Sequence, residues 1–261
     1  MNYTLEEVKK SFNPSAGEVS VIYTWILRPF SFYITFLLLR LGFRKPNSIT
    51  ALGLLFGVTS GFFFVIEQKF FYMGVLFYVL FMFFDVIDGN MARITDSATY
   101  FGKFLDGVVD TFVDALLPLS IAVGFYLAGN DILFLFGGVI VTTALLFAAF
   151  VINRTSFFNR LLAMDAYERN MPFSKFKVSQ DLNPLTSSRI PLKKIGNFLT
   201  DAKIVILIVA AITGMTKFFL LLFLLSIAIW ALALIIVMII NAAEQLNVRR
   251  ISKWDSRLKS E

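Results

Sequence analysis

The chain has 261 residues, of which 57% are hydrophobic, with 31 Phe and a mean hydropathy of +0.75. That exceeds what a soluble core requires and makes the bilayer its natural solvent. The formal net charge is +6, and neither cysteine nor histidine is present, so disulfides, thiolate nucleophiles and zinc–thiolate sites are excluded and any general base has to be a carboxylate, Lys, Tyr or water.

Met1 to Lys10 is polar and charged, unlike a basic stretch leading into an apolar core and a small-residue cleavage site, so no cleavable signal peptide is expected. Residues 19–45 are apolar but punctuated by Arg28, Pro29, Arg40, Arg44 and Lys45. Too short between charges to cross, they read as an amphipathic helix lying in the membrane interface; the alternative is a seventh segment, re-entrant or spanning. Residues 1–45 are thus expected to form a cytoplasmic N-terminal segment with this interfacial helix. Pro46 and Asn47 then start a new helix, Pro being suited to a first helical turn and Asn to an N-cap.

Uncharged runs at 47–66, 132–153 and 218–243 are each long enough to cross about 30 Å of hydrocarbon as a helix. Three further spans, about 70–94, 101–129 and 198–216, carry charge at one end: Asp85, Asp88 and Arg93 in the first, Asp106, Asp110 and Asp114 in the second, Asp201 and Lys203 in the third. The expected fold is therefore an all-α integral membrane protein with six transmembrane helices over 46–243, followed by a cytoplasmic tail, 244–261.

With six spans, Lys69 and Lys217 fall on the outer side and the other 22 of the 24 Lys and Arg fall on the inner side. The excess of basic residues in cytoplasmic loops then puts both termini in the cytoplasm. The long loop 154–199 holds Arg154, Arg160, Lys193 and Lys194 among its basic residues. Positive-inside topology and attraction to anionic lipid account for most of it, without nucleic acid as a partner; gripping a phosphorylated substrate is the sharper reading.

The segment joining the second span to the third carries the chemistry. It runs Asp85-Val-Ile-Asp88-Gly89-Asn-Met-Ala92-Arg93, then eight residues, then Gly102-Lys-Phe-Leu-Asp106-Gly-Val-Val-Asp110. On a helix Asp85 and Asp88 are i, i+3 neighbours and Asp106 and Asp110 are i, i+4 neighbours, so two antiparallel helices can aim all four carboxylates at one spot. Each intramembrane Asp costs about 2.5–3.5 kcal/mol on insertion scales, and four like charges repel; something cationic has to neutralise them. Hard oxygen donors without His or Cys suit Mg²⁺, Mn²⁺ or Ca²⁺. Four carboxylates can hold two such ions, an arrangement used for phosphoryl displacement. Gly89, Ala92 and Gly102 fit either close approach of a bulky ligand or tight helix packing, and Arg93 either grips phosphate or snorkels to the interface.

This segment resembles the signature of the CDP-alcohol phosphotransferase family, Asp-x2-Asp-Gly-x2-Ala-Arg-x8-Gly-x3-Asp-x3-Asp, at all eight fixed positions. Pro46, Asn47, Ile49 and Thr50 are similar to the Pro-Asn-x-Ile/Val-Thr sequence that opens that family's first helix, and the resemblance covers roughly residues 28–242. It implies six transmembrane helices, a cytoplasmic-facing polar site, two divalent cations, a CDP-alcohol donor and an acceptor alcohol, with CMP released. Asp85, Asp88, Asp106 and Asp110 would be metal ligands, with Asp110 also the general base. Gly89, Ala92 and Gly102 would make room for the cytidine, Asn47 would join the nucleotide site and Arg93 would hold phosphate. A homodimer is carried over from the same family.

Asp114 adds one turn to the third-span face. It is similar to the second Asp of an Asp-Arg-x-x-Asp-Ala pattern in inositol-using members, although Thr111 stands in place of the Arg, so a polar packing contact is an equal alternative. Asp201 and Lys203 either serve the acceptor pocket or, on the favoured reading, make an ion pair at a helix end. A membrane cation transporter or channel using the same carboxylates is the rival from another class, opposed by the single cluster near one face and the lack of an inverted repeat.

Overall fold

The computed structural model describes residues 3–12, 20–129, 131–168, 192–214 and 216–246, and among these there are helices and turns but no strand. Among the described residues eight α-helices follow one another: α1 (Leu5–Lys10), α2 (Arg28–Arg40), α3 (Pro46–Ile66), α4 (Phe71–Ile94), α5 (Tyr100–Gly129), α6 (Ile132–Glu168), α7 (Leu192–Thr213) and α8 (Thr216–Leu246). Among the described residues five stretches are long and apolar enough to cross a membrane: α3, α4, α5, residues Ile132–Met164 of α6 and Lys217–Ala243 of α8. The chain is an all-α, multi-pass integral membrane protein. The remaining expected span, about 198–216, falls in the 22-residue helix α7, which is not among these five.

The helices run past two of the expected boundaries. α6 continues from the span at 132–153 to Glu168, and α7 starts at Leu192, so much of the expected loop 154–199 is helical; Arg154 and Arg160 lie on α6. Residues 169–191, the middle of that loop, and the tail from 247 lie outside the described residues. By its contacts the chain divides into two compact units, Met1–Phe147 with Lys193–Leu232, and Ala148–Leu192 with Ala233–Glu261. The first unit contains the acidic segment.

Each start has a local reason. Thr4 caps α1, its hydroxyl accepting from the Glu7 N–H at 3.3 Å while the Glu7 carboxylate accepts from the Thr4 N–H at 2.7 Å, the reciprocal pair of a capping box. α3 begins with Pro46 at its first position after an extended Lys45, where a missing N–H costs nothing. Asn47 is therefore inside the first turn, not the cap expected from sequence, and its side chain turns toward Gly102 instead.

α3 packs on both α4 and α5, and its glycines allow this. Gly53, Gly57 and Gly61 repeat every four residues, placing small residues on one face, the pattern that lets membrane helices approach closely. A Cβ at Gly57 would lie 2.6 Å from Val113 Cγ2, and one at Gly61 would lie 2.9 Å from Ser120 Oγ. At the far end of α5 a Cβ on Gly124 would overlap the Phe64 carbonyl. Around this seam Phe64, Tyr78, Phe81, Val113 and Leu117 are buried in one apolar core that α7 joins through Ile204 and Leu207.

Candidate active site

α4 and α5 are joined by a tight reversal. Thr95 ends α4, Asp96 takes a left-handed conformation at φ 49°, and the Ser97 N–H bonds back to the Ala92 carbonyl at 3.1 Å. This is the 6→1 closure that Gly usually supplies and that Asp tolerates. Thr99 then opens α5, its hydroxyl accepting from the Gly102 N–H at 2.9 Å. The reversal turns the chain back so that α4 and α5 both pack on α3, bringing the two halves of the acidic segment together.

Asp85, Asp88 and Asp106 present carboxylate oxygens that all lie within 4.8 Å of one another. Asp88 is 6% exposed and accepts from the Thr50 hydroxyl on α3 at 2.5 Å, so α3 fixes its position on α4. Asp110 stands one turn further along α5, half-buried and outside that group of three. The donor set is all carboxylate, with no histidine or cysteine in the chain, and fits a hard divalent cation of the Mg²⁺ or Mn²⁺ kind.

A cavity of about 200 Å³ opens beside these carboxylates. Asp88 and Asp106 form part of its wall, and every residue expected at the nucleotide site, Asn47, Gly89, Ala92, Arg93 and Gly102, lines it. The small residues do there what their size permits: a Cβ at Gly102 would meet Asn47 Oδ1 at 3.1 Å, and one at Gly89 would meet the Arg93 guanidinium at 3.4 Å. Thr50 and Lys103 also line the cavity. Lys103 falls in an unspecified position of the signature, so spacing alone carried no signal for it.

This geometry goes with a match of residues 43–179 to the family described as CDP-alcohol phosphatidyltransferase. The chain belongs to the CDP-alcohol phosphatidyltransferase family. Curated relatives agree: a phosphatidylinositol phosphate synthase of Streptomyces avermitilis is 33% identical over 109 residues, 42% of each chain. An archaetidylinositol phosphate synthase of Pyrococcus horikoshii is 33% identical over 79 residues, 30% of this chain and 41% of its own. An uncharacterized protein of Aquifex aeolicus is 33% identical over 111 residues, 42% of this chain and 53% of its own. The chain thus aligns with about two-fifths to half of the length of these relatives.

For a member of this family, the surroundings of the signature hold features that sequence reading missed or misassigned. Asp201 and Lys203 do not pair with each other, because residues two apart on a helix point in different directions. Asp201 accepts from the Ser20 hydroxyl and from the N–H groups of Val21 and Ile22, the latter two at 2.8 and 3.1 Å, so it caps the N-terminal helical segment from across the fold. Lys203 instead donates to Asp114 at 2.6 Å, and the Tyr78 hydroxyl donates to the same oxygen at 3.2 Å. Asp114 and Lys203 line a second cavity of about 90 Å³ with Thr200, Ser226 and Trp230. Tyr23, outside the spans, has its phenol pushed well above the usual tyrosine range by burial and then by the Asp85 charge, so its hydroxyl stays neutral.

Proposed function

We propose that this protein transfers a substituted phosphate from a CDP-alcohol, such as CDP-diacylglycerol, to the hydroxyl of an acceptor alcohol and releases CMP, in phospholipid or phosphodiester biosynthesis. One observation carries the reading: three carboxylates within 4.8 Å of one another stand at a cavity lined by Arg93 and three small residues, and those residues are the fixed positions of the family signature.

In this reading Asp85, Asp88, Asp106 and Asp110 hold two divalent cations, Mg²⁺ or Mn²⁺. When bound, such ions neutralise the diphosphate and the charge that develops on the leaving nucleotide. Asn47, Gly89, Ala92 and Gly102 leave space for the cytidine, and the Arg93 guanidinium grips a phosphate oxygen with two N–H groups. Thr50 keeps the Asp88 carboxylate turned into the site through its 2.5 Å hydrogen bond.

The acceptor hydroxyl oxygen attacks the alcohol-bearing phosphorus, the new P–O bond forms as the P–O bond to CMP breaks, and the hydroxyl proton passes to Asp110. A carboxylate is the natural base in a chain without histidine. The helices contribute position, which is most of the work in phosphoryl displacement. The site and both termini face the cytoplasm.

The test is CMP release by the purified protein with Mg²⁺ or Mn²⁺ over a panel of CDP-alcohols and acceptors. Inositol phosphates belong in the panel because the names of the Streptomyces avermitilis and Pyrococcus horikoshii relatives contain them. Metal-dependent CMP release that Asp110→Asn lacks supports the reading. A wild-type protein that binds no cytidine nucleotide and releases no CMP overturns it.

A further inference from the structure

Beyond the signature arginine, the fold brings up a second guanidinium. Arg28 opens α2, and the turn before it, Tyr23–Leu27, is π-helical, with the Arg28 N–H bonded to the Tyr23 carbonyl five residues back. Pro29 accounts for this irregularity. A proline ring inside an α-helix collides with the carbonyl four residues earlier and offers no N–H, and the wider turn relieves the collision. Single π turns are rare and recur at functional positions.

From Arg28 a buried chain of hydrogen bonds leads to Arg93. Ser31 Oγ donates to the Arg28 carbonyl at 2.8 Å, Asn90 Nδ2 donates to Ser31 Oγ at 2.9 Å, and Arg93 Nη2 donates to Asn90 Oδ1 at 2.8 Å. Ser31 and Asn90 are both 0% exposed, so water does not compete and the chain fixes α2 against α4. Both guanidiniums also lie over the Phe12 ring, Arg28 at 3.4 Å and Arg93 at 5.9 Å from its centroid.

Two like charges are thus held side by side, and among the described residues neither pairs with a carboxylate. Arg28 is half-buried, and its Nε is shielded from solvent without a hydrogen-bond partner. Burial and the Arg93 charge beside it bring its pKa down to about 10, which leaves it charged at neutral pH. The Asp85 carboxylate is near enough to act on it. A charged fork with an unused donor, next to the acidic site, matches the oxygens of a phosphate.

Resting on the CDP-alcohol reading above, we propose that Arg28 binds the alcohol-bearing phosphate of the donor, beside the phosphate gripped by Arg93. Arg93 lines the nucleotide cavity and Arg28 does not, which assigns Arg28 to the end of the diphosphate away from the cytidine. Arg28 is then a further binding residue, delivered by the N-terminal helix.

CDP and CMP differ by that one phosphate, so their affinities for the full chain in detergent with Mg²⁺ test the assignment. Arg28→Gln is expected to weaken CDP roughly tenfold or more, the scale of a lost charge-assisted hydrogen bond, and CMP by no more than about twofold, within its nonspecific effect on the site. Arg28→Lys, which keeps the charge but not the fork, gives a smaller loss that is still selective for CDP. An unchanged CDP affinity, or equal weakening of both nucleotides, overturns the proposal. If Arg28→Gln does not fold, the CDP-to-CMP ratio of Arg28→Lys decides by the same rule. Wild-type protein that binds neither nucleotide removes the CDP-alcohol reading and this inference together, whereas wild-type binding of CDP with indifferent Arg28 variants removes the inference alone.

Discussion

Asp88 and Asp110 sit one helix apart in different surroundings, and the difference predicts different failures. Asp88 is 6% exposed, bonded to Thr50 and within the group of three carboxylates; Asp88→Asn is expected to lose metal-dependent nucleotide binding and activity together. Asp110 lies outside that group, so Asp110→Asn is expected to abolish CMP release while CDP binding survives in part. Titrating Mg²⁺ and CDP against both variants separates them, and equal mild losses in both contradict the assignment. Thr50→Val removes the donor to a buried carboxylate, a loss of about 1–3 kcal/mol where the acceptor stays unsatisfied, and is expected to raise the Mg²⁺ concentration for half-maximal activity with little change in acceptor KM. At this scale the signature made the site legible because its spacing places Asp85, Asp88 and Asp106 on two adjoining helix turns. Ser31, Tyr23 and Thr50 approach from elsewhere in the chain, and Asp201 serves a helix start 180 residues away. No local spacing encodes such contacts.

The spans were legible among the elements, since uncharged runs of about 20 residues have one physical use, and α3, α4 and α5 start or end within a residue of expectation. The charged loop 154–199 was less so, because nothing in its composition distinguishes a polar helix extension from a coil, and α6 runs to Glu168. The glycines of α3 were also silent. Their role appears only once Val113 and Ser120 are seen against them. Gly57→Ala puts a methyl 2.6 Å from Val113 Cγ2, and since Val113 is 1% exposed it has no room to yield. Overpacking of this kind costs about 1–3 kcal/mol, so thermal unfolding in detergent is expected to fall measurably. Gly129→Ala, where an added Cβ meets nothing within 4 Å, serves as the matched control and leaves unfolding unchanged. If both substitutions are silent, the α3–α5 seam is not where this fold holds its stability.

At the scale of the molecule, charge is distributed by helix end. Near one set of ends, where α4 passes into α5, stand the carboxylates, Arg93 and Lys103. In the connections at the opposite ends, basic residues are scarce and matched: Lys69 pairs with Glu67 at 2.5 Å, and Lys217 pairs with Asp131 at 2.6 Å. The Lys217 ammonium, hydrogen-bonded to Asp131, holds that carboxyl below its ordinary range, so this pair stays ionised and neutral overall at physiological pH. Orientation follows the number of Lys and Arg on each face, with acidic residues counting for little, and this face carries Lys69 and Lys217 where six spans put the other 22 of the 24 opposite. The orientation is therefore predicted with residues 67–70 and 214–217 outside and the α4–α5 reversal in the cytoplasm. The chain has no cysteine, so single substitutions report without background: Lys69→Cys is expected to react with a membrane-impermeant maleimide added to intact cells, and Arg154→Cys only after the membrane is opened. The reverse pattern would put the acidic site outside, away from cytoplasmic CDP-alcohols, and would count against the proposed reaction as well as the topology. Labelling at both positions in intact cells would instead mean an even number of crossings between them, where α4, α5 and α6 make three, and so a different span count between Lys69 and Arg154.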